Sequence, residues 1–126
     1  MDTSEIYIKM CAKAEEIQTT KAQYFQSHGN FFADNITSCP TWLISCDICF
    51  NLTKSPERFI WLPRQDQLQG MITIARNSGE LLDLFVSFLL HAEPNYSKLY
   101  SMEQLWLAFV MKEKYNKTWN GEDWIK

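Results

Sequence analysis

RFIWLPRQDQLQGMI, residues 58–72, decides how the chain is read. Arg58-Phe59-Ile60-Trp61-Leu62 reads as a short buried strand. Pro63 ends it, because proline fixes its own φ and has no amide hydrogen to give a ladder. A polar turn, Arg64-Gln65-Asp66-Gln67, then opens a helix. Upstream of Pro63 the patterns are mixed, one helix followed by β-type segments. Downstream they are helical. The expected class is therefore α+β.

Upstream, Asp2, Thr3 or Ser4 is placed to cap a first helix running to about Ser27, with Gly29 as its stop. Ile6, Met10, Ala14 and Ile17 recur at helical spacing, beside Cys11. Glu5, Lys9, Glu16 and Lys21 mark a solvated opposite face. Residues 30–34 form a candidate strand. Trp42, Ile44, Cys46, Ile48, Phe50 and Leu52 then fall on alternate positions, which argues for a half-buried strand over 42–52. A helix there is the competing reading. Residues 53–57 are a hairpin loop leading into 58–62.

Downstream, one helix is expected from Arg64 to Asn77, softly interrupted by Gly70. A second runs from Glu80 to His91. Leu81, Leu82, Leu84, Phe85, Val86, Phe88, Leu89 and Leu90 cover most of its circumference, so it belongs at the centre of the core or at a subunit contact. A third runs from Met102 to about Lys117. Ser101-Met102-Glu103-Gln104 is its capping box, with Gln104 placed to reach back to the Ser101 amide. Leu105, Trp106, Phe109 and Val110 point inward, and Lys112, Lys114 and Lys117 gather where the helix dipole favours cations. Residues 119–124 close the chain as a turn or tail.

The 126 residues are the size of one domain, 1–126, and 46% are hydrophobic, enough for a core without disulfide or metal. Net charge is −3 and Lys and Arg are scattered, so the basic footprint of duplex binding is not visible and nucleic acid is an unlikely partner. A patch assembled by folding would draw on Arg58, Arg64 and Arg76. The N-terminus lacks a signal-peptide pattern, and Leu81 to Leu90 is too short to span a bilayer. A cytoplasmic protein with reduced thiols is the expectation, with no membrane partner.

No constellation specifies a reaction. The serine-hydrolase elbow, Walker A loop, Rossmann glycines and HExxH are absent, and no cofactor or small-molecule substrate is identifiable. The strongest chemical candidate is Cys46-Asp47-Ile48-Cys49, with Cys39 and His28 completing four zinc ligands. On a strand Cys46 and Cys49 face opposite ways, which favours buried free thiols over a metal site. His28 and His91 lie at helix ends without a catalytic partner in view, and both read as structural. Asp66, with Arg64 and Gln67, reads first as a helix-opening turn and second as a polar recognition ledge. Trp119 and Trp124 either fold back over the core or form a partner-binding edge.

Two blocks, WLPRQDQLQGMI (Trp61 to Ile72) and SMEQLWLAFVMKEKYNKTWNGEDWI (Ser101 to Ile125), resemble a family of small uncharacterised proteins carried by phages and prophages of Gram-positive bacteria. IKMCAKAEEIQ (Ile8 to Gln18) fits the same resemblance, whereas Ile36 to Lys54, with three of the four Cys, lies outside it. The resemblance implies a phage-type accessory protein of the bacterial cytoplasm and assigns no activity or site residue.

The expected architecture is an N-terminal helix, a small antiparallel sheet built from about 30–34, 42–52 and 58–62, and then three helices. The expected function is a non-enzymatic protein-interaction module that binds another protein or itself. Its candidate contacts are Trp119, Trp124, Arg64, Asp66, Gln67 and the surface of Leu81–Leu90. The alternatives are a zinc module on Cys39, Cys46, Cys49 and His28, and a nucleic-acid-binding accessory factor.

Overall fold

Helix and strand patterns become elements only where each buried backbone group finds a partner. The computed structural model describes residues 1–24, 29–34, 40–42, 56–91, 99 and 101–126. They form two compact units, Thr3–Arg64 and Gln65–Lys126 with Met1–Asp2. The class is α+β.

In the Thr3–Arg64 unit, α1 spans Glu5–Lys13 and is capped by Ser4, whose hydroxyl oxygen accepts from the Tyr7 amide at 3.3 Å. The continuous helix expected to about Ser27 is not what forms. The chain leaves helical geometry at Ala14 (φ −87, ψ 74), resumes as α2 over Glu15–Gln18, and makes a 3-10 turn over Lys21–Tyr24. Ala14 is fully buried, and alanine is the best helix former, so no propensity marks the break.

The break carries Gln18 to the sheet. That sheet has strands β1 (Phe31–Asp34), β2 (Pro40–Trp42) and β3 (Phe59–Leu62), in the antiparallel order β2-β1-β3. The register sets Phe32 opposite both Thr41 and Trp61. The alternation expected over 42–52 enters the described residues only at Trp42, and β2 begins earlier, at Pro40. Among the described strands β2 lies at an edge, where a proline is tolerated.

β3 is the other edge, and helical side chains close it. The Trp61 amide donates to Gln18 Oε1 at 2.9 Å, and Gln18 Nε2 donates back to the Trp61 carbonyl at 2.9 Å and to the Cys11 carbonyl at 3.1 Å. Lys21 Nζ donates to the Phe59 carbonyl at 2.8 Å. Lys21 is thus half-buried rather than part of a solvated face. Burial pushes its ammonium below the ordinary lysine range, against the opposing pull of Glu57. α1 packs on β3, every residue of which is buried, and the Tyr7 hydroxyl donates to the Pro63 carbonyl at 2.5 Å.

The second unit holds α3 (Gln65–Gly70), α4 (Ser78–Leu90), α5 (Met102–Tyr115) and a hairpin of β4 (Thr118–Trp119) and β5 (Trp124–Ile125). The helix expected from Arg64 to Asn77 stops at Gly70. Glycine costs about 1 kcal/mol in a helix interior, and the β-branched run Ile72-Thr73-Ile74 offers nothing to offset it. α4 starts two residues before the expected Glu80, because the Asn77 side chain accepts from the Glu80 amide at 2.9 Å.

α5 is capped as its box implies, with Ser101 Oγ accepting from the Gln104 amide at 3.1 Å. The Gln104 side chain goes elsewhere than expected: its Nε2 donates to Asp2 Oδ2 at 2.7 Å. Asn116, left-handed at φ 54, terminates the helix. The expected terminal turn or tail is a hairpin. Trp119 pairs with Trp124, Asn120 Oδ1 accepts from the Glu122 and Asp123 amides at 2.8 Å each, and Gly121 takes φ 103.

Two outcomes follow from the closed edge. Replacing Gln18→Leu strands the amide and carbonyl of Trp61 and should lower stability by about 3 kcal/mol in urea denaturation; a loss near zero would mean that water serves the edge equally well. Between its lowered folded pKa and the unfolded 10.5, Lys21 binds fewer protons in the folded chain. Stability from this group therefore rises with pH through that interval and is at its lowest below it. The stability difference between the native chain and Lys21→Met should show that alkaline rise.

Candidate functional site

α4 has two apolar faces with different surroundings. On the inner side Phe85 is buried, and Leu81, Leu84 and Phe88 are half-buried. Phe85 stacks on Trp106 of α5 with centroids 4.0 Å apart and planes at 9°, and lies 5.6 Å from the Phe109 ring. Phe88 adds a tilted contact to Phe109 at 5.2 Å. These aromatic pairs fasten α4 to α5.

The outer side is apolar as well. Leu82 is 56% exposed, Val86 50%, Leu89 38% and Leu90 76%. At 100° per residue these four fall within about 100° of the circumference and extend about 12 Å along the axis. The polar residues Glu80, Asp83 and Ser87 are confined to the neighbouring sector. The sequence allowed this helix either a central position or a subunit contact. The enclosed helix is instead α5, buried at every position from Trp106 to Met111. At the N-terminus of α4, Arg76 pairs with Glu80 at 3.1 Å. At its end the His91 amide donates to the Ser87 carbonyl at 3.2 Å and ring Nδ1 lies 2.8 Å from the same oxygen, a capping arrangement.

The other candidate residues are placed as follows. Trp119 and Trp124 are 5% and 9% exposed, with centroids 5.1 Å apart, so their rings are turned inward. Arg64 Nη1 donates to the Gly29 carbonyl. Asp66 is exposed in the first turn of α3, where the dipole favours an acid, and Gln67 is half-buried. Arg58 grips the buried Asp34 through three hydrogen bonds at 2.6, 3.0 and 3.1 Å. These bonds hold its guanidinium above the ordinary arginine pKa. Arg58, Arg64 and Arg76 are therefore each engaged by an intramolecular acceptor.

Cys39, Cys46, Cys49 and His28 lie outside the described residues. Among the described residues no group of three or more His, Cys, Asp or Glu side chains is placed to hold a metal ion, and Cys11 is buried in the core. No helix among them is long and apolar enough to cross a membrane. No protein-family model, curated protein or solved structure matches the chain.

The surface that stands out is thus the outer face of α4. Its residues were legible as an apolar run, but not which of them would face outward. One signal was available: a polar sector this narrow leaves more apolar circumference than a single neighbouring helix covers.

The two faces should separate on substitution. Phe85→Ala should cost about 3–4 kcal/mol, because it leaves a cavity against Trp106, whereas Leu82→Ser should change unfolding by under about 0.5 kcal/mol. Equal losses at both positions would show that the outer face is covered within the chain.

Proposed function

We propose that the chain is a non-enzymatic protein-interaction module and that the outer face of α4 is its binding surface. The observation that carries this reading is the exposure of Leu82, Val86, Leu89 and Leu90 together on one capped helix. Scattered exposed apolar residues need no explanation, but a contiguous apolar stripe on an ordered helix is a surface that a protein partner covers. The 4-then-3 spacing of Leu82, Val86 and Leu89 is that of a seam that packs against another helix.

The phage-accessory setting rests on the resemblance of the Trp61–Ile72 and Ser101–Ile125 blocks and is proposed on that ground alone. The buried Trp119 and Trp124 have a smaller part in this reading than the sequence assigned them. They support the fold around α5, to which β4 is packed.

A photo-crosslinking residue at Val86 tests the reading in the intact chain. The expected result is one reproducible protein adduct, of this or another chain, identified by mass spectrometry. It should be absent when the same residue replaces the exposed Lys112. Adducts at neither position would remove the interaction reading, and equal adducts at both would show that α4 is not the binding face.

A further inference from the structure

We infer that Asn120-Gly121, in the loop of the β4–β5 hairpin, is a self-modifying site. The turn promotes loss of the Asn120 side-chain amide, and the isoaspartate that results breaks the pairing of Trp119 with Trp124. This does not depend on the role of α4.

An asparagine side chain is attacked at Cγ by the backbone nitrogen of the residue that follows, and a Cβ on that residue hinders the approach. Asn120 is the only asparagine of the sequence that precedes a glycine. Gly121 takes φ 103, and nothing stands within 4 Å of where its Cβ would be. Residues 120–123 are all exposed, so water and hydroxide reach the loop. Among the described residues the Gly121 amide has no hydrogen-bond acceptor, which leaves its nitrogen available. Asn116 is the contrast: the amide that follows it, that of Lys117, donates to the Met111 carbonyl at 3.1 Å.

The electrophile is prepared as well. Asn120 Oδ1 accepts from the Glu122 and Asp123 amides at 2.8 Å each. Two N–H donors at that distance polarise the side-chain carbonyl and stabilise the charge that gathers on Oδ1 as a nucleophile adds, the arrangement of an oxyanion hole. Hydroxide takes the proton of the Gly121 amide, and the nitrogen bonds to Cγ. The oxyanion on Oδ1 then collapses, the Cγ–Nδ2 bond breaks, and Nδ2 leaves as ammonia with a proton from water. The cyclic imide left behind is opened by one water molecule. Attack at Cγ gives aspartate, and attack at the main-chain carbonyl carbon of residue 120 gives isoaspartate. In all, one water is consumed and one ammonia released, with no change of oxidation state.

The two products differ in what they do to the turn. Aspartate keeps the side-chain oxygen where it is, and its charge strengthens the bonds from the two amides. Isoaspartate routes the main chain through the former side chain. It inserts a methylene into the loop and removes the acceptor that both amides use. The loop is otherwise closed by the Asn120 amide, which donates to the Asp123 carbonyl at 3.1 Å, and by the register of Trp119 with Trp124. A longer loop shifts that register, and two rings now turned inward lose their cover.

The test uses the full chain, incubated in mildly alkaline buffer and digested for mass spectrometry, with electron-transfer fragmentation to separate isoaspartate from aspartate. Conversion should be concentrated at Asn120, with Asn116 unchanged, and several-fold faster in the folded chain than in the same chain unfolded in guanidinium. A slower rate in the folded chain would mean that the turn protects Asn120 and would overturn the inference, as would equal conversion at Asn116. The isoaspartate form, separated by ion exchange, should show red-shifted tryptophan emission, whereas N120D should match the native chain. An isoaspartate form with native emission would overturn the coupling to the hairpin.

Discussion

The side-chain amide of Gln18 closes both hydrogen-bonding groups of Trp61 at once, in the place a further strand would take. An open edge of buried apolar residues is the feature a small sheet can least leave uncovered, since unpaired backbone groups recruit other chains. Every residue of β3 is buried, so its outward amides and carbonyls also lack water as a fallback. Lys21 takes the next outward carbonyl, that of Phe59, and accepts a lowered pKa in doing so. The break at Ala14 makes sense in this light: a straight helix would not deliver position 18 to one strand residue and position 21 to another.

The second unit solves a different problem, how three short helices share one apolar centre. α5 takes the enclosed place, buried through six consecutive positions from Trp106 to Met111. It is held by caps at both ends, Ser101 at the first turn and left-handed Asn116 at the last. α4 has the higher apolar content but lies against α5 on one side only, through Phe85 and Phe88. Its remaining apolar sector is therefore surplus to the fold. That surplus is the physical basis for proposing α4 as a binding surface.

Several readings were open to sequence because they depend on neighbours within a turn or two. Pro63 separates β3 from α3 and Ser101 caps α5, each through chemistry that residues a few positions apart supply. The aromatic weight of the core was also plain. The Trp119 and Trp124 rings were harder, since a Trp in a polar segment packs inward or outward according to what lies beneath it. Gln104 is the same lesson in miniature: the box places its amide correctly, and Asp2, 102 positions away in sequence, then takes its side chain.

By itself the sequence determined the α+β class, the Ser101 cap and the stop at Pro63, because these follow from local sterics and hydrogen bonding. Only the tertiary structure decided that the first helix breaks at Ala14, that α3 stops at Gly70, and that α5 rather than α4 is enclosed. It also decided that Arg58 faces Asp34 and that Leu82, Val86, Leu89 and Leu90 face outward. The reason is common to all of these. Apolar periodicity records that a residue is available for burial, while the choice of which surface is buried depends on partners distant in sequence competing for the same core.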